Sequence, residues 1–130
     1  MKAPKTLEGF KQMSMLWFYV KDLRESVQFY QEKVRLKLVF LDEKAGWAGF
    51  DTGAPGVDLG LTVWKLGGEV PRGGGACPVL EVDDILQTRA ALESRGVRFE
   101  GEIVGEVGSR RHCTFHDLDG NPVQITQVWV

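Results

Sequence analysis

The chain repeats itself at half its length. Val20-Lys21-Asp22-Leu23 opens one amphipathic segment, and Val82-Asp83-Asp84-Ile85 opens another at an offset of 62. Further on, Leu59-Gly60-Leu61-Thr62 is answered by Val123-Gln124-Ile125-Thr126 at an offset of 64. Any α+β protein shows a helix now and then, but anchors that agree to within a few residues of one offset point to a duplicated unit. Two similar units of half the chain each imply a pseudo-symmetric fold with a groove between them. What lines that groove then decides what the protein does.

A chain of 130 residues is expected to be a single domain, 1–130, long enough to bury about two-thirds of its unfolded surface. Its 16 basic residues against 18 acidic ones leave no electrostatic footprint for nucleic acid or an anionic membrane. No apolar run approaches the ~18 residues a transmembrane helix needs. Met1-Lys2-Ala3-Pro4-Lys5 is basic but leads into no apolar core, which argues against a signal peptide. Cys77 and Cys113 are too few for a disulfide framework, so a reducing, cytoplasmic setting is expected.

Local patterns give the order of elements. Residues 1–12 read as a polar lead-in, and 13–20 as a buried strand rich in Met, Trp, Phe and Tyr. Asp22 with Glu25 three residues on makes a capping box, and Leu23, Val27, Tyr30 and Val34 recur on one helical face. Strands are predicted over 36–41, 47–51 and 57–64, closing a first module of 13–64. Residues 65–75 hold five glycines and a proline and read as a linker.

The second module, 76–128, repeats the plan. A strand over 77–82 leads to a helix over 84–95 with Ile85, Ala91 and Leu92 inward and Gly96 at a left-handed end. Strands follow over 97–103, 111–116 and 123–128. The expected fold is α+β: two tandem βαβββ modules forming a pseudo-symmetric curved mixed sheet around a cleft.

Two motifs carry a family resemblance. Asp117-Leu118-Asp119-Gly120-Asn121-Pro122-Val123-Gln124 resembles the Asp-Pro-Asp-Gly-Asn-x-x-Glu turn and last strand of the vicinal oxygen chelate superfamily. Phe18-Tyr19-Val20-Lys21-Asp22-Leu23 with Ser26, Phe29 and Tyr30 is similar to its other common signature. That superfamily holds glyoxalase I, extradiol dioxygenases, fosfomycin-resistance enzymes and bleomycin-resistance binding proteins.

Its enzymes usually hold a divalent metal with His and Glu side chains from four strands. The resemblance puts those positions at Met15, Gly60, Cys77 and Gln124. Gly60 has no side chain, Gln124 no charge, and the sulfurs of Met15 and Cys77 are soft, so the set suits no hard divalent ion. A further departure is Arg35, where the family often has glycine. No metal and no cofactor are therefore expected.

Alternation along each strand names what lines the groove instead. Trp17 and Tyr19 share the face of Met15; Asp58, Thr62 and Trp64 flank Gly60; Val79 and Glu81 follow Cys77. His112, Thr114 and His116 face one way if Phe115 packs under the helices, and Thr126 follows Gln124. Met15, Trp17, Tyr19, Asp58, Trp64, Cys77, Glu81, His112, Thr114 and Gln124 are thus the candidate ligand-binding residues. Trp17, Tyr19, Trp64 and Trp47 offer rigid walls for a planar ligand. Against this stands the plainer possibility that the aromatics fill the sheet interior or bury at a dimer interface.

His112 and His116 lie four apart on a strand, roughly 13 Å, too far to share one metal without a bend. Gly73-Gly74-Gly75 lacks the Lys and helix start of a phosphate loop. The preferred expectation is metal-independent binding of a small, flat, aromatic or drug-like molecule by a homodimer, resembling the drug-sequestering, antibiotic-resistance branch. The rival is a glyoxalase-type lyase, isomerase or dioxygenase with a shifted metal set drawn from Cys77, His112, His116 and Glu81, where Glu81 and His112 are candidate catalytic bases. A third expectation is an interaction module whose groove a partner chain closes.

Overall fold

The computed structural model describes residues 14–53, 55–71 and 77–129. The polar lead-in and the glycines of the linker at 73–75 lie outside the described residues. The chain runs β1 (Met15–Val20), α1 (Leu23–Gln28), a π-helical continuation (Phe29–Val34), β2 (Lys37–Asp42), β3 (Trp47–Asp51) and β4 (Asp58–Val63). It then repeats the order as β5 (Val79–Glu81), α2 (Ile85–Ser94), β6 (Phe99–Glu106), β7 (Arg110–His116) and β8 (Pro122–Val128). The two βαβββ modules form two four-stranded mixed sheets, ordered β1-β4-β3-β2 and β5-β8-β7-β6. In each, the first and last strands are parallel and the rest antiparallel.

Both helices start on the residue the sequence nominates. Asp22 accepts a hydrogen bond from the Glu25 N–H at 3.0 Å, and Asp84 one from the Gln87 N–H at 3.0 Å. Each satisfies an N–H that the first turn leaves without a partner. The first helix widens into a π turn at Phe29, which lets two consecutive aromatics, Phe29 and Tyr30, both sink into the core. Their rings part there: Tyr30 packs on Phe50 of the first sheet (centroids 5.7 Å), and Phe29 on Phe115 of the second (6.5 Å). The helix ends at Arg35 in the left-handed region, φ 69°.

One core therefore serves both modules. Phe18, Val20, Phe50, Leu59 and Leu61 of the first sheet join Cys113, Phe115, Val123 and Ile125 of the second, with Leu23, Val27, Ile85 and Leu92 from the helices. Three polar links reinforce it. Lys33 Nζ donates to the Arg95 carbonyl at 3.1 Å while Arg95 Nε donates to the Lys33 carbonyl at 2.8 Å, a reciprocal exchange between equivalent helix ends. The 117–121 turn supplies the third. Asp117 accepts from the N–H groups of Asp119 and Asn121, from Asn121 Nδ2 and, at 2.8 Å, from the buried Tyr30 hydroxyl. Asn121 Nδ2 reaches back to the Tyr19 carbonyl and Asp119 accepts from the Lys21 N–H. The Asp-Leu-Asp-Gly-Asn stretch is a clamp between modules. Because both sheets turn their inner faces to this shared core, the opposite face of each is turned away from it.

Candidate functional site

The outer face of the first sheet is built in rows fixed by strand register. Met15, Asp58 and Asp51 form one row, Trp17, Gly60 and Gly49 the next, and Tyr19, Thr62 and Trp47 the third. Alternation thus holds on β1: Phe18 and Val20 are buried, while Trp17 is 48% exposed. The aromatics interlock. Tyr19 meets Trp17 edge-on at 4.8 Å and Trp64 at 4.8 Å, and Trp64 Nε1 donates to the Gly67 carbonyl, which fixes its ring. Such edge-to-face chains are stiff walls with apolar faces left to offer.

A second wall stands across the sheet, where Phe40 lies on Trp47 with centroids at 4.3 Å. Sequence reasoning missed Phe40, because strict alternation from Leu36 and Leu38 assigns it to the core. A bulge between Leu38 and Phe40 shifts the phase and turns Phe40 outward opposite Gly49. Nothing in the local sequence announces that bulge. Gly49 went unnoticed for the related reason that its role depends on its strand neighbours.

Met15 and Gly60 meet as well. A Cβ built on Gly60 would lie 2.7 Å from Met15 Sδ and 3.0 Å from Trp17 Cβ. The methionine therefore lies on the glycine, and only a residue without a side chain permits it.

On the outer face of the second sheet, register sets Val79 beside Gln124 and Gln124 beside Thr114, with His112 beside Thr126. Gln124 Nε2 donates to Thr114 Oγ1 at 3.3 Å. Cys113 and Phe115 point into the core, so His112, Thr114 and His116 take the outer side. His116 Nε2 lies 3.4 Å from Glu100 Oε1. This face is polar where the first is aromatic.

Between the modules lies a cleft of about 690 Å³ where the start of β1 and β4 meets β5. Asp58, Cys77 and Glu81 line it together with Leu16, Val57, Leu59 and Leu80. Burial pushes the Cys77 thiol up from its ordinary value, although part of the residue is exposed, which disfavours a thiolate nucleophile. The expected site residues are thus distributed in three places. Asp58, Cys77 and Glu81 share the cleft; Met15, Trp17, Tyr19 and Trp64 share the aromatic face; His112, Thr114 and Gln124 share the polar face.

Of the four positions that the resemblance assigns to a metal, Gly60 pairs with Trp17 and Gln124 with Val79, equivalent places in the two sheets. Their donors are a thioether, no side chain, a neutral thiol and an amide engaged with Thr114. That set does not fit a hard divalent cation. Among the described residues no group of three or more His, Cys, Asp or Glu is placed to hold a metal. No helix among them is long and apolar enough to cross a membrane.

Two tandem βαβββ modules joined by an Asp-Leu-Asp-Gly-Asn clamp turn define the class of fold. The chain belongs to the glyoxalase/bleomycin resistance protein/dioxygenase superfamily, whose family model matches residues 12–125. Solved structures agree on the fold. TnmS3, an antibiotic binding protein from Streptomyces sp. CB03234, superimposes with a TM-score of 0.72 at 24% identity, over 92% of this chain and 97% of that one. A superfamily member from Sphaerobacter thermophilus gives 0.73 at 20% identity, over 91% and 98%. The integron cassette protein HFX_CASS4, from the mobile metagenome of the Halifax Harbour sewage outfall, gives 0.71 at 23%, over 92% and 100%. No curated protein sequence matches the chain.

Proposed function

We propose that the protein binds a small, flat aromatic or drug-like molecule without a metal, and that the aromatic face of the first sheet is where it stacks. One observation carries the reading: a continuous Trp17–Tyr19–Trp64 wall with Trp17 48% exposed, facing a Phe40–Trp47 wall on the same sheet face. Leaving that much aromatic surface to water is unfavourable at about 25 cal/mol per Å², and a stacked ring removes it. That a protein of this fold, TnmS3, binds an antibiotic supports the ligand class.

The working unit in this proposal is a homodimer. One chain alone leaves its aromatic face open, because both outer faces point away from the shared core. A second copy brings its polar face, with His112, Thr114 and Gln124, over the aromatic face of the first and supplies the orienting groups. Two free cysteines, Cys77 exposed and Cys113 buried, suit a reducing cytoplasm.

Isothermal titration with planar aromatic probes in excess chelator tests the reading. Binding that survives chelator and falls at least tenfold in Trp17→Ala is the expected result. Binding abolished by chelator and restored by a divalent metal overturns it in favour of a metal enzyme.

A further inference from the structure

The proposed aromatic face has a side chain lying where its ligand belongs. Trp17 on β1 and Phe40 on β2 are separated by Gly60 and Gly49, so their backbones stand three strand spacings, roughly 14 Å, apart. Neither glycine has the positive φ that would make it a backbone requirement. Both are buried nonetheless, and what lies over them is Met15. Its Sδ is 2.7 Å from the Cβ that Gly60 lacks, and its Cε is 4.0 Å from the one that Gly49 lacks. The thioether thus runs across the bare floor between the two aromatic walls.

We propose that Met15 is a displaceable plug: a flat fused-ring ligand takes its place on the Gly49–Gly60 floor, and the site selects rings one layer thick. This deepens the function proposed above and rests on it. Methionine suits the task, being unbranched, with several soft rotations and a polarizable sulfur that packs on aromatic edges in either position. Glycine in a strand interior weakens the strand and marks close approach of another group. At Gly49 that weakness is not forced by packing, since an added Cβ meets Phe40, Val39 and Met15 only at 3.9–4.0 Å, ordinary contact distance. A plug that must move opposes binding, so its removal strengthens binding, the reverse of what a contact residue does.

The test is calorimetric titration of the full chain with acridine and with 9-phenylacridine, whose extra ring stands out of plane. Wild type is expected to take acridine at least about tenfold more tightly than 9-phenylacridine. Met15→Ala should tighten acridine several-fold. Gly49→Ala, which the fold accommodates, should weaken it about tenfold by raising the floor one methyl, with the melting temperature unchanged. Acridine bound by wild type but weakened in Met15→Ala makes Met15 a contact and overturns the plug, while the aromatic reading stands. Unchanged affinity in both variants likewise overturns it. If wild type binds neither probe and Trp17→Ala alters nothing, the underlying reading falls and this one with it.

Discussion

Arg35 holds φ 69° at the end of the first helix, a left-handed conformation that a Cβ opposes. Its side chain is exposed, so nothing in packing requires arginine there. Arg35→Gly removes a strain of about 1–2 kcal/mol and returns part of it as backbone entropy, about 0.5–1 kcal/mol. A net gain near 0.5–1 kcal/mol is expected, read as a higher urea midpoint at unchanged slope. Tyr30 behaves oppositely. Its hydroxyl donates to Asp117 inside the core, and Tyr30→Phe should cost about 1–3 kcal/mol by leaving a carboxylate oxygen short of a donor. Burial, with the Asp117 charge adding to it, holds the Tyr30 hydroxyl well above its ordinary value of 10.0. The folded state therefore keeps a proton that the unfolded chain gives up. The stabilisation is complete below about pH 10 and declines as pH rises beyond it, because the unfolded state then binds fewer protons. Urea titrations from pH 7 to 11 should show a steeper alkaline loss in wild type than in Tyr30→Phe; equal slopes would assign the loss to other groups.

At the scale of elements, the capping signals transferred from sequence to structure without change. Asp22 and Asp84 each accept from the N–H three residues on, so Asp22→Ala and Asp84→Ala should each cost about 1 kcal/mol, or a few degrees in melting temperature, whichever module they sit in. A cost confined to one module would mean that the helices do not support the core equally. Strand alternation was largely legible: of the aliphatic and Phe residues out of phase with the groove, Phe18, Val20, Val123 and Ile125 are buried, while Leu16, Leu80 and Val82 are partly buried against the core. What failed to show was everything that breaks a period. The π turn at Phe29 and the bulge before Phe40 each insert one residue into a repeat, and the sequence on either side stays ordinary. Past the bulge Phe40 pairs with Gly49, so the phase that turns it outward is visible only in the register. Hence the wall of Phe40 and Trp47 is half seen from sequence, through Trp47 alone.

At the scale of the molecule, periodicity tells which face of a sheet is outer but not which other face it meets. The duplication in the sequence implied two equivalent sheets and a groove; the clamp from Asp117 to Tyr30 and the Lys33–Arg95 exchange tie the two modules to one shared core. The proposed site is then completed across two chains, aromatic face of one against polar face of the other, and a twofold dimer holds two such sites. This makes a mixing prediction. Trp17→Ala disables the aromatic half and Gln124→Arg, a bulky cation at the centre of the polar half, disables the other. Each homodimer should bind acridine poorly. Unfolded together and refolded in equal amounts, the two variants form mixed dimers in which one site carries both lesions and the other carries neither. With random pairing, half the dimers are mixed and half of their sites are intact, so about a quarter of the wild-type binding capacity should return, at wild-type affinity. Capacity that stays at zero on mixing would place both faces of the site within one chain, whereas undiminished binding by Gln124→Arg alone would leave the polar face out of it.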